Sequence, residues 1–123
     1  MTARSENMLR IYREDLLEGR LLRLVPPDRA AEVQRAIDLS CSGQLIEAAR
    51  IFLELHKDTG VSRLVIAAHA VGEYATETKD YWTAAAIFGL LHRTTGNPYF
   101  EDLRAELQRA QIVTSNRERQ RDG

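Results

Sequence analysis

The sequence predicts an all-α fold of antiparallel helical hairpins, about six helices in one domain. Three observations carry that expectation. Ala, Leu and Arg supply 15 residues each of 123, while only three Pro and seven Gly interrupt them. All three abundant residues are strong helix formers. Residues 42–60, SGQLIEAARIFLELHKDTG, align without gaps to 78–96, TKDYWTAAAIFGLLHRTTG, at an offset of 36 (78 minus 42). Apolar residues then recur at three- and four-residue steps throughout, which is the period of a helix buried on one face.

Bulk properties exclude several classes of function. The formal net charge is −1, from 17 basic and 18 acidic residues, so no global field draws nucleic acid or an anionic membrane. The tail RERQRDG carries three Arg but also Glu118 and Asp122. Nucleic-acid binding is therefore not expected. No uncharged apolar run reaches the length of a membrane span, so membrane insertion is not expected either. A single cysteine excludes an internal disulfide framework and an all-cysteine zinc site. The N-terminus, MTARSENMLRIYRED, lacks the unbroken apolar stretch of a secretory signal. Together these point to an untargeted protein of a reducing compartment, best suited to a bacterial cytoplasm.

Taken in order, a first helix is expected over residues 6–24, with Met8, Tyr12, Leu16 and Leu24 among its apolar residues. Gly19 weakens it by up to ~1 kcal/mol relative to Ala. Pro26-Pro27-Asp28 ends that segment and opens the next helix, with Asp28 as its N-cap. This second helix carries Val33, Ile37 and Cys41 on one stripe and pairs with the first repeated block to make hairpin 1, residues 28–60. Ser62 caps the first helix of hairpin 2, residues 62–96, along which Ile66, Ala70 and Tyr74 line up. Asn97-Pro98 starts a C-terminal helix over 98–114, with Phe100, Leu103, Leu107 and Ala110 at helical spacing. Residues 1–4 and 115–123 have no apolar pattern and are expected to fray.

The two repeated blocks share Ala48/Ala84, Ala49/Ala85, Ile51/Ile87, Phe52/Phe88, Leu55/Leu91, His56/His92, Thr59/Thr95 and Gly60/Gly96. Gly60 and Gly96 follow the last periodic residue, where a left-handed residue ends a helix. Lys57 and Arg93 sit in the final turns and complement the helix dipole. Trp82 and Tyr81 align with Ile46 and Leu45, and read as packing between hairpins.

These blocks resemble the second helix of a tetratricopeptide repeat. Gly43-x-Leu45-x-x-Ala48-x-x-x-Phe52 follows that family's pattern, and Tyr81-x-x-Ala84-x-x-x-Phe88 follows it again with Lys79 in place of the glycine. Twelve residues before each Ala stand Ala36 and Gly72, the small residues the family uses where its helices cross. The spacing departs from the family's 34 residues, the first-helix Trp is absent, and glycines replace the closing Pro. The resemblance implies a short right-handed array whose first helices form a concave, partner-binding face. It places Val33, Ile37 and Cys41, then Ile66, His69, Glu73 and Glu77, and finally Arg109 on that face. An amphipathic helix or extended peptide of another protein would fit there. The alternative is that Val33, Ile37 and Ile66 are core residues covered by the 6–24 helix. The layout is also similar to that of the small chaperones of type III secretion, which shield an export substrate or needle subunit.

No enzyme chemistry is expected. His56 and His92 are repeat-equivalent and could approach a metal with Cys41, but no metal-ligand spacing is present. No metal or cofactor is assigned. Glu73 and Glu77, one turn apart with Arg63, Lys79 and Asp80 nearby, read as a solvated face rather than an acid/base pair. Cys41, among Val and Ile, reads as a small buried hydrophobe. The favoured function is thus a small chaperone or adaptor, alone or in an oligomer. The alternative is a self-associating regulator of another protein or of a transcription factor.

Overall fold

The computed structural model describes the backbone of residues 3–122 and the side chains of residues 6–113. Among these, six α-helices and no strand are present: α1 (Ala3–Ile11), α2 (Ala30–Cys41), α3 (Leu45–Thr59), α4 (Arg63–Glu77), α5 (Tyr81–Thr95) and α6 (Pro98–Asp122). Consecutive helices pack in sequence from α2 to α6, and α3 also packs on α5. The molecule is an all-α array of hairpins, with α2/α3 and α4/α5 as the repeated pairs. The core runs between the helices of each pair, centred on Phe52, Phe88, Val33, Val71, Ile87 and Leu91.

Local chemistry sets the helix ends. Gly60 and Gly96 adopt left-handed conformations, φ 73° and 69°, and their N–H groups donate to the carbonyls of His56 and His92. Asp80 caps α5 by accepting from the Thr83 N–H, and Asn97 accepts from the Tyr99 N–H at the start of α6. Between α2 and α3 the left-handed residue is Gly43; between α4 and α5 the equivalent residue is Lys79, φ 65°. A side chain in that conformation is strained by roughly 1–2 kcal/mol, so the second hairpin turn is the weaker one.

Two caps differ from expectation. Asp28 lies inside a 3-10 turn, Pro27–Arg29, and α2 begins after Arg29 with no side-chain cap. Ser62 has helical dihedrals, so its hydroxyl makes no cap bond; the Thr59 hydroxyl instead accepts from the Val61 N–H in that loop. At the far end α6 continues to Asp122 rather than ending near 114. The tail carries three Arg and holds no Gly or Pro before Gly123, so no strong breaker stops the helix. The expected frayed N-terminus also changes in part, since α1 begins at Ala3. Residues 1, 2 and 123 lie outside the described residues.

Ala36 and Gly72 both occupy tightly packed positions. Ala36 is fully buried. A Cβ on Gly72 would lie 3.0 Å from Phe88 Cζ and 3.2 Å from Ile87 Cγ2, because α4 and α5 meet there. Gly72→Ala should therefore destabilise the chain by about 1 kcal/mol, overpacking outweighing the gain in helix propensity. A thermal melt checks this; an increase in Tm would mean that the crossing can open without cost.

The N-terminal segment departs most from expectation. After α1 the backbone passes through a π-helical turn, Tyr12–Leu17, closed by the Glu18 N–H on the Arg13 carbonyl at 2.8 Å. Gly19 then reverses the chain with φ 78°, and a 3-10 turn follows at Arg20–Arg23. The single 6–24 helix is thus broken at Gly19. Leu21, fully buried, takes the packing role expected of Leu24, which is exposed.

Candidate functional site

The face of α2 and α4 expected to receive a partner is covered by the chain's own N-terminal segment. α1 and the π-turn pack on α4, while the π-turn and the following 3-10 turn pack on α2. Three contacts fasten the segment there. Tyr12 stacks on Tyr74 with ring centroids 4.6 Å apart, and its hydroxyl is 2.8 Å from Ser40 Oγ. Leu16 is 1% exposed and Leu21 fully buried. Asp15, also fully buried, accepts from Arg63 Nε at 2.6 Å and from Arg20 Nε at 2.7 Å. Tyr12, Asp15 and Leu16, three and four residues apart, all lie on the buried side of this turn.

The residues expected to receive a partner are accordingly dispersed. Val33 and Ile37 are core, 0% and 5% exposed, and belong to one buried cluster with Leu16 and Leu21. Ile66 is partly buried against that cluster. Cys41 is exposed at the end of α2, not the small buried hydrophobe its neighbours implied. Glu73 is buried while Glu77 is exposed, so the two do not form a common solvated face. Arg109 is exposed on α6. His69 and Glu73 come together as well, with His69 Nε2 3.6 Å from Glu73 Oε1. That imidazole is ringed by Phe88, Tyr99 and Phe100, whose centroids lie 5.3–6.3 Å away edge-on. It ties α4 to α5 and α6 as packing.

The repeat-equivalent histidines also separate. His56 Nδ1 donates to the Val61 carbonyl at 3.1 Å, whereas His92 Nδ1 lies 3.7 Å from Glu101. Among the described residues no three His, Cys, Asp or Glu gather in a group able to hold a metal ion.

An open groove lies instead on the other side of the array. Its volume is about 390 Å³, and it runs along α5 with α3 and α6 as its walls. Ile46, Trp82, Ala85, Ala86, Gly89 and Leu90 supply the apolar lining, and Arg50, Arg93, Arg104, Gln108 and Gln111 the polar lining. Trp82 is 63% exposed, which overturns its reading as inter-hairpin packing. A second shallow cavity, lined by Gly43, Gln44, Leu45, Glu47 and Thr83, joins the first at Ile46.

The repeat explains why a groove forms here. In α3, Leu53 is buried, and Arg50 bonds both Glu47 and Glu54 across the outer face. At the offset of 36 the same positions of α5 are Gly89, Ala86, Thr83 and Leu90. The charged lattice is gone, and the side chain that would fill the space beside the next helix is missing. Only the Arg104 stem approaches Gly89, 3.4 Å from where a Cβ would stand. Arg104 is held by Glu101, whose carboxyl that guanidinium keeps below the usual carboxylate range. These substitutions between the repeats were the one sequence signal that could have found the groove.

Compared with family models, with curated protein sequences and with solved structures, the chain matches none. No helix among the described residues is long and apolar enough to cross a membrane.

Proposed function

We propose that the chain is a protein-binding module of tetratricopeptide-like hairpins, a small chaperone or adaptor. It shields a partner's amphipathic helix in the groove around Trp82. The exposure of Trp82 over an apolar floor carries this reading. Trp and Arg are the residues enriched at binding hot spots, and here both line one concavity. A large aromatic left in water beside Ile46 and Leu90 gains by being covered. The α2/α4 face is a poorer candidate, because a partner there would first have to displace Tyr12, Asp15 and Leu16. Residence in the cytoplasm and a role in type III secretion are the narrower form of the proposal. The unpaired Cys41 supports the first; the hairpin layout supports the second.

Two substitutions test the groove. Trp82→Ala removes the exposed anchor and should change stability by no more than about 0.5 kcal/mol, as for a surface site. Gly89→Leu restores the side chain that α3 carries and fills the floor, while improving helix propensity by roughly 0.8 kcal/mol. Both variants should fold, by circular dichroism, and lose the partners that co-purify with the wild type from its native cell. Partners retained by both would place binding elsewhere.

A further inference from the structure

We infer that the groove's occupant is an acidic amphipathic helix of a partner protein. It would set its apolar stripe on α5 and its carboxylates against the arginines. The inference rests on the docking role proposed for the groove and adds the chemistry of what docks.

Charge decides the class of partner. Every charged side chain that lines the groove is an arginine: Arg50, Arg93 and Arg104. Two of them are held in place at the rim by carboxylates of their own helices, Arg50 by Glu47 and Glu54 and Arg104 by Glu101. Arg93 is exposed and has no ion-pair partner among the described residues. A neutral or basic occupant would leave this cation facing apolar or like-charged groups, whereas a carboxylate would complement it.

Shape sets the occupant's form and length. Ala85, Ala86 and Gly89 make a floor with almost no side chain, so another helix can come close to α5. Trp82 and Arg93 mark its two ends, and both line the groove. Eleven residues of helix separate them, roughly 16 Å, so an occupant of about three turns spans the distance. Such a helix places an apolar anchor beside Trp82 and an Asp or Glu near Arg93.

The chain contains one tryptophan, so tryptophan emission, excited apart from the four tyrosines, reports on this groove. The experiment selects binders from a displayed library of roughly 15-residue helical peptides, with apolar residues fixed at helical spacing and the remaining positions randomised. Selected peptides should be enriched in Asp and Glu and should shift Trp82 emission to the blue. Binding should weaken about tenfold or more in Arg93→Glu, and a peptide with Lys at the facing position should recover it. Neutral or basic peptides that bind and are lost in Trp82→Ala would overturn the acidic partner while leaving the docking groove intact. No selection, or selection that survives both Trp82→Ala and Gly89→Leu, would overturn both. Emission that shifts blue with the concentration of the chain alone would put a second copy in the groove and overturn the inference.

Discussion

Asp15→Ala is expected to destabilise the chain by about 3 kcal/mol, seen as a fall in Tm of roughly 10 °C. Asp15 is fully buried and holds two guanidinium groups from different parts of the chain. Arg20 is close in sequence, but Arg63 stands 48 residues away at the start of α4. Removing the carboxylate strips Arg63 of its acceptor and leaves Arg20 only Glu14, 3.1 Å away, which is the costly way to break a buried pair. The value lies at the lower end of the usual range because Arg20 and Arg63 are 43% and 30% exposed and regain water. Urea melts of Asp15→Ala and Arg63→Ala should show lowered midpoints. The double variant should lose less than the sum of the two. Full additivity would mean that the pair contributes nothing to holding the N-terminal segment.

The same site gives the stability a pH dependence of known sign. Burial pushes the Asp15 carboxyl up, but the hydrogen bonds from Arg63 and then Arg20, with their charges, outweigh it, and the net direction is down. The unfolded chain therefore takes up the proton first as the pH falls. The stabilisation is fully present above the ordinary aspartate value, roughly 4, and is lost as the pH drops through the lower folded value. Asp15→Asn lacks this component, so its midpoint should approach that of the wild type as the pH falls below about 4. Midpoints that stay parallel across that window would place the proton-linked stability elsewhere.

The hairpins were legible in the sequence because their determinants are local. Phe52 and Phe88 repeat with their stripes, and Gly60 and Gly96 stop the helices through their own backbone conformation. Nothing beyond the neighbouring turns has to be known. The break at Gly19 and the π-turn before it were not legible, because the four-residue spacing of Met8, Tyr12 and Leu16 fits an unbroken α-helix equally well. Asp15 meets Arg63, 48 residues away, and no local pattern encodes that contact. The groove failed for a different reason. Periodicity marks Trp82 as apolar but does not say which neighbour covers it. Ile46 is partly covered because α5 packs on α3, whereas α6 passes α5 at a position where Gly89 offers nothing to pack against. Burial of an apolar residue depends on the helix beside it, and the partner-facing pattern of a family says nothing about a segment that folds back onto its own face.

The cover that the N-terminal segment lays over that face is tested by Ile37→Asp, the substitution with the largest expected effect. Ile37 is 5% exposed within the cluster that includes Leu16 and Leu21. The change forfeits roughly 2–3 kcal/mol of apolar burial and forces a carboxylate, or its protonated form, into a site without a partner, for several more. Domains of this size hold only about 5–15 kcal/mol in all. Cooperative melting should therefore be lost or Tm lowered by well over 10 °C. Ile66→Asp, at a partly buried position, should destabilise by a smaller amount and keep the helical spectrum. Leu16→Asp makes the same test from the other side, because it loosens the segment without altering either hairpin. If the segment covers α2, Leu16→Asp and Ile37→Asp should both destabilise strongly, and their combination should add little. An Ile37→Asp chain that melts like the wild type would mean the α2/α4 face is open to solvent. A partner helix could then bind there without displacing anything.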